Sequence, residues 1–230
     1  MRRNIARGMI ITATFLWGTS FPIIRLGLMY VDVFVFFFLR FTTASIIMIL
    51  LCIASSKKSQ LTAMLHNKFI VLTGIMNALG YLLQFIGQKY TYASNASLFV
   101  NTIPIFTAIS AHFLLNEHLD SKRISTILIT FLGAGIIILS NSNMELTFSA
   151  IGDILCLIAG AVWGLYVTLS KKAVDNVSEN IVLITAWFII ASIVGLPFAV
   201  FWWIESSTEI LLEGWIIILY TKYNIYLCFL

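Results

Sequence analysis

The 230-residue sequence predicts an all-α integral membrane protein of inverted five-helix repeats, with about seven complete transmembrane helices and a partial eighth. Three observations predict it. The chain is 60% hydrophobic and only 10% charged, whereas soluble domains carry about 25% charge. Too few polar residues remain to cover a water-facing surface, so lipid is the solvent that suits most of the chain. The apolar residues fall into long runs near the roughly 20 residues that cross a bilayer as a helix. Finally, the stretch from Ala13 to Leu28, with Trp17, Gly18 and Arg25, returns 146 residues later with Trp163, Gly164 and Lys171.

The apolar runs define the spans in order. Span 1 is Met9–Tyr30, span 2 Val33–Ala54, span 3 Phe69–Tyr90 and span 4 Ala93–Leu115. Span 5 is Ile124–Ser140, at the short limit for a crossing helix; span 6 is Ile151–Ser170 and span 7 Ile181–Trp203. Span 8 begins at Trp215 and reaches Leu230. None alternates strictly, as barrel strands would. The Met-Arg-Arg start followed by an apolar run suits a signal peptide, but span 1 is full-length and has no small-x-small cleavage site, so it reads as the first helix.

The loops set the orientation. Arg2, Arg3 and Arg7 precede span 1; Lys57, Lys58 and Lys68 join spans 2 and 3; Lys122 and Arg123 join spans 4 and 5; Lys171 and Lys172 close span 6. The intervening loops carry Asp32, Glu145, Glu205, Glu209 and Glu213, with Lys89 as the cation on that side. This alternation predicts a multi-pass protein of the cell membrane with a cytoplasmic N-terminus. It also explains the net charge of +4 without nucleic acid.

Five spans separate Trp17 from Trp163, so the two copies have opposite topology, the inverted repeat of secondary transporters. The first repeat is placed at residues 1–145 and an incomplete second at 146–230. Thr14-xxx-Gly18 and Gly160-xxx-Gly164 are small-xxx-small pairs that let helix backbones approach closely. Counterparts of spans 4 and 5 would run to about residue 286 by the same shift. The expectation is therefore a truncation or frameshift within span 8, near Thr221.

These residues resemble a known family. Trp17-Gly18-Thr-Ser-Phe-Pro22 and Leu39-Arg40-Phe41 look like the opening of an EamA-type drug/metabolite transporter. Ala93-Ser-Asn-Ala-Ser, the mid-helix Pro104, Glu117 and the Gly133-Ala-Gly135 helix are similar to that family's fourth and fifth helices. Gly152-Asp153 leading into Trp163-Gly164 resembles the start of its second half. The resemblance covers about residues 5–221. It implies ten helices in two inverted halves, a central cavity, and export of amino acids, metabolites or drugs by alternating access.

Candidate substrate-binding residues follow from polarity within spans. Arg40 lies seven residues into span 2, about 10 Å from its end, where an arginine is costly and usually faces a cavity; attraction of a substrate carboxylate competes with snorkelling. Asn77, Tyr81, Gln84 and Gln88 share one face of span 3. Asn95 and Asn101 in span 4 offer further amides, and Trp17 and Trp163 offer rings at membrane depth, for stacking or for packing. Gly18 and Gly164 are structural, Pro104 is a kink or hinge, and Glu117 ties a helix end or the nearby Lys122 and Arg123. Arg25 sits nearer the end of span 1 and reads as a snorkelling cation.

No Asp or Glu lies deep in a span as drawn, so the carboxylate that proton coupling usually requires is missing. Cys52, Cys156 and Cys228 lie in apolar runs and read as buried hydrophobes. His66, His112 and His118 lack metal-ligand spacing, and no nucleophile or phosphate-loop motif occurs. The chain is thus expected to be no enzyme, with no catalytic residue, metal or cofactor. Its partners would be a small-molecule substrate and the lipid bilayer, with oligomeric state open. A membrane-embedded enzyme, a seven-helix receptor and a non-functional fragment are the rival readings.

Overall fold

The computed structural model describes residues 2–140, 146–174, 180–206 and 212–229, and these are almost wholly helical. The helices are α1 (Arg2–Tyr30), α2 (Val33–Ala54), α3 (Lys58–His66), α4 (Lys68–Tyr90) and α5 (Ala93–Val100). They continue with α6 (Ile103–Leu115), α7 (Ser121–Ser140), α8 (Leu146–Val174), α9 (Asn180–Ser206) and α10 (Leu212–Phe229). Five of the described stretches are long and apolar enough to cross a membrane: α2, α4, α5 with α6 (Ala93–Leu115), Ala150–Lys171 of α8, and Asn180–Ile204 of α9. The protein is an all-α membrane protein.

The helices group into two compact units. The first holds Met1–Gly74 and Glu179–Leu230, the second Ile75–Ser178. Thus α8 belongs to the second unit, while α9 and α10 join α1 and α2 in the first.

In the first unit α2 and α9 pack along their lengths. Cys52 Sγ lies 3.3 Å from Thr185 Oγ1, and Ser45 Oγ lies 3.1 Å from Ser192 Oγ. Further along, Phe37 fills the space beside Gly195, and Phe34 stacks on Phe198 and Trp202. Residue numbers rise on one helix as they fall on the other, so the pair is antiparallel. These are spans 2 and 7, counterparts under the 146-residue shift. The buried side of α2 is nearly all apolar, with Val33, Phe36, Phe37, Phe41, Ala44 and Met48. Sequestering such faces is cheap in lipid, so the two serine and cysteine contacts add direction rather than a large driving force. Asp32 caps α2 by accepting from the Phe34 backbone N–H at 2.8 Å, which satisfies an orphan donor of the first turn. On α1 the buried side is Ser20, Phe21, Ile24 and Leu28 at helical spacing, and Gly27 lets α10 approach through Ile217.

One feature differs from the sequence-based expectation, and another sharpens it. Residues 58–66, read as a cationic loop, form the short helix α3, entered through Ser56 at φ 58°. Leu61 is its buried residue, with Met64 and Leu65 half-buried on the same side; a nine-residue polar helix carries no span-length signal. Span 4 is also not one helix. It breaks at Asn101–Thr102 into α5 and α6, with Pro104 in the first turn of α6. Proline has no N–H and its ring crowds the carbonyl four residues back, so the ladder cannot pass through. Thr102 Oγ1 instead donates to Phe99 O at 2.6 Å.

Candidate functional site

The second unit is organised around α8. Its residues Gly152, Cys156, Gly160 and Gly164 recur every four positions and so share one side. Every one of them meets a neighbour closely. A Cβ on Gly152 would lie 2.7 Å from Gly87 O and from the Thr91 backbone N. On Gly160 it would meet Thr102 Oγ1 at 2.8 Å, and on Gly164 the Thr107 backbone N at 2.7 Å. The sequence-predicted pair Gly160-xxx-Gly164 is therefore the second half of a longer small-residue stripe on which α4, α5 and α6 rest. Its counterpart is different: nothing lies within 4 Å of a Cβ on Gly18.

The polar side of α4 comes together with Trp163. Tyr81 meets Trp163 edge-on, and the indole Nε1–H donates to the Asn77 backbone carbonyl at 3.4 Å. The indole sits where Gly80 carries no side chain. One turn on, Gln84 Nε2 donates to Gln88 Oε1 at 3.3 Å, and both side chains are buried. Gln84 Oε1 is buried with no hydrogen-bond partner among the described residues. An orphaned amide oxygen is costly in a low-dielectric interior, on the order of 1–3 kcal/mol. Asn77, Tyr81, Gln84 and Trp163 thus form one cluster of polar and aromatic groups in one unit.

The other candidates stand elsewhere. Arg40 is 3% exposed on α2, in the first unit, with Phe36, Phe37, Phe41 and Ala44 buried around it on the same helix. Trp17, also in the first unit, is 43% exposed. Asn101 is exposed at the helix break, and its amide folds back to Ser97 O at 2.7 Å. Glu117 Oε1 accepts from Lys171 Nζ at 2.7 Å, so its structural tie reaches the end of α8. Its backbone also finishes α6: Asn116 takes the left-handed conformation, and Glu117 O lies 2.7 Å from His112 Nδ1. Pro104 is exposed beside the break it causes.

Two polar groups escaped the sequence reading. Ser110 Oγ lies 2.6 Å from Thr168 Oγ1, tying α6 to α8. Asp153 is buried within α8, seven residues after the helix starts at Leu146. Its Oδ1 accepts from Thr91 Oγ1, and its Oδ2 from Asn95 Nδ2 at 3.5 Å. Asp153 is the fourth residue of the spanning stretch Ala150–Lys171, near its end rather than deep within it. Drawing span 6 from Ile151 put Asp153 at its edge, but helix α8 begins earlier, through the mixed sequence Leu146-Thr-Phe-Ser-Ala. Only the Gly152-Asp153 pair ahead of Trp163 hinted at it.

The model of the EamA-like transporter family matches residues 5–139, more than half of the chain. The chain belongs to the EamA-like transporter family. An uncharacterized transporter of Archaeoglobus fulgidus is 29% identical over 189 residues, covering 80% of this chain and 63% of that protein. The uncharacterized transporter YoaV of Bacillus subtilis is 24% identical over 189 residues, 81% of this chain and 63% of its own. YyaM of Bacillus subtilis, also an uncharacterized transporter, is 31% identical over 142 residues, 60% of this chain and 46% of its own. The chain thus spans somewhat under two thirds of the length of the first two relatives. No solved structure matches it. Within this EamA-like chain, the family match takes in α1 to α7, including the broken α5–α6 span and the polar side of α4; Asp153 and Trp163 lie beyond it.

Proposed function

We propose that this EamA-like protein is a multi-pass transporter of the cell membrane that exports small metabolites, amino acids or drugs by alternating access. In this reading two inverted five-helix repeats, divided between residues 145 and 146, carry the substrate, and the N-terminus is cytoplasmic. The observation that carries it is the break of a spanning helix at Asn101–Thr102 in the same unit as a buried polar and aromatic cluster. Transporters place substrate sites where spanning helices are discontinuous, because unwound backbone is tolerated only beside a cavity or protein. Asn77, Tyr81, Gln84 and Trp163 supply hydrogen bonding and ring surface, Arg40 attracts anionic groups, and Trp17 and Asn101 are secondary contacts. Gly164 allows helix approach, Pro104 is the hinge, and Glu117 fixes a helix end. The alternating cationic and acidic loops support the orientation.

Flux assays test this. Purified protein in sealed vesicles is offered a panel of amino acids and organic anions. The expected result is saturable flux of at least one compound, weakened for anions in Arg40→Ala and for every compound in Gln84→Leu. No saturable flux from folded protein across the panel, or unchanged flux in both variants, would count against the reading.

A further inference from the structure

We propose that α3 is a membrane-surface helix that binds the phosphate headgroups of anionic phospholipids along its lysine-bearing side. Its place follows from its neighbours. Both α2 and α4 are long and apolar enough to cross a membrane, and α3 joins the end of one to the start of the other. The joints are short. The chain leaves α2 through Ser55, Ser56 and Lys57, with Ser56 in the left-handed conformation and the Lys57 backbone N–H donating back to Cys52 O at 2.8 Å. It enters α4 through Asn67 alone, whose Oδ1 accepts from the Phe69 backbone N–H at 2.9 Å. A helix of nine residues is about 13 Å long. Held this closely between two spanning helices, it lies where the bilayer ends.

The two sides of α3 differ. Leu61 is buried, Met64 and Leu65 are half-buried beside it, and the helix rests on α9. The other side carries Lys58, Ser59, Thr62 and His66, all exposed, and an exposed Lys68 follows at the start of α4. Lys58, Thr62 and His66 recur every four positions and so form one row. Within that row Thr62 Oγ1 donates to Lys58 O at 3.1 Å, and His66 Nδ1 lies 2.8 Å from Thr62 O. Charge identifies the partner. No Asp or Glu occurs between Asp32 and Glu117, so these lysines have no acid close to them in sequence. A lysine near an anionic bilayer surface contributes about a fivefold preference for it. In a loop the two ammonium groups would range through water, whereas α3 fixes their height at the phosphates, where the Ser59 hydroxyl is a further donor. This surface is independent of the transport reading.

Local fluorescence quenching tests the surface. The full chain with Cys228→Ser and Ala63→Cys carries a fluorophore on α3 and is placed in nanodiscs of phosphatidylcholine. Phosphatidylglycerol or phosphatidylcholine with a spin label at the top of one acyl chain is then added, and quenching reads how often each lipid stands beside α3. The expected result is a preference for phosphatidylglycerol of at least about fivefold, shrinking as salt is added. It should fall by about fivefold in each of Lys58→Gln and Lys68→Gln and survive in Lys58→Arg. Gln60→Cys, also exposed, gives a second labelling position if the first variant does not fold. Equal quenching by the two lipids, or a preference unmoved when both lysines are replaced, would overturn the proposal. So would loss of the preference on adding millimolar inorganic phosphate at constant ionic strength, which would mark a site for free anions instead.

Discussion

The ring of Trp163 stands edge-on to Tyr81, with centroids 4.6 Å apart and planes 82° from parallel. Such a geometry sets the positive rim of one ring against the negative face of the other and adds about 0.5–1.5 kcal/mol to simple burial. Trp163 is 4% exposed, so it holds α8 against α4 as well as being a candidate for substrate contact. Trp163→Ala should cost about 3–5 kcal/mol by cavity formation. Trp163→Phe should cost less, because the ring contact survives and only the donation to Asn77 O is lost, about 1 kcal/mol. Chemical unfolding of detergent-solubilised protein would rank the two, and equal losses would contradict this division.

The two glycines related by the 146-residue shift should respond in opposite directions. A side chain on Gly164 meets the α6 backbone, so Gly164→Val should destabilise by at least about 1–3 kcal/mol through overpacking. Gly18 has open space around it, and Gly18→Ala should gain up to about 1 kcal/mol from helix propensity. Thermal stability in detergent separates them; a loss in Gly18→Ala would show a neighbour beyond those described.

The ion pair of Glu117 with Lys171 should contribute little. Its side chains are 33% and 63% exposed, and exposed pairs typically contribute about 0.2–1 kcal/mol. A double-mutant cycle with Glu117→Gln and Lys171→Met should give a coupling in that range, shrinking as salt is added. A coupling several times larger would mean the pair is shielded from water.

Cys52 and Cys156 should resist labelling in the native protein. Both are free and buried, with Cys52 beside Thr185 and Cys156 against the α4 backbone. A water-soluble maleimide should modify neither, as read by peptide mass spectrometry, until denaturant is added. Rapid native labelling of Cys156 would place water beside the α4–α8 contact.

Much of the fold was legible because lipid imposes a simple length rule on helices. Val33–Ala54 was read with the bounds it has, since both ends are marked: Asp32 caps one and Ser55 ends the other. The polar side of α4 was legible from spacings of three and four. Its meeting with Trp163 was not, because helix-to-helix contact depends on which small residues let backbones touch, and Cys156 and Gly152 were not recognised as members of that series. Helix α3 escaped because nine residues carry no span signal. Asp153 escaped because hydropathy marks where a helix becomes apolar rather than where it starts. Pro104 did forecast the break in span 4, but its consequence falls two residues earlier, just after the Val100 carbonyl that the missing N–H leaves without its helical donor.

The stripe of Gly152, Cys156, Gly160 and Gly164 constrains how the second unit can deform. Where backbones touch there are few long side chains to swing into new rotamers, so the contact offers only small displacements along its own surface. Such helices move by shear, whereas larger angular change needs a joint whose ladder is already interrupted. Asn101–Thr102 is such a joint. Rotation in this unit would therefore fold α5 and α6 about that point, with α8 acting as the rail along which they slide.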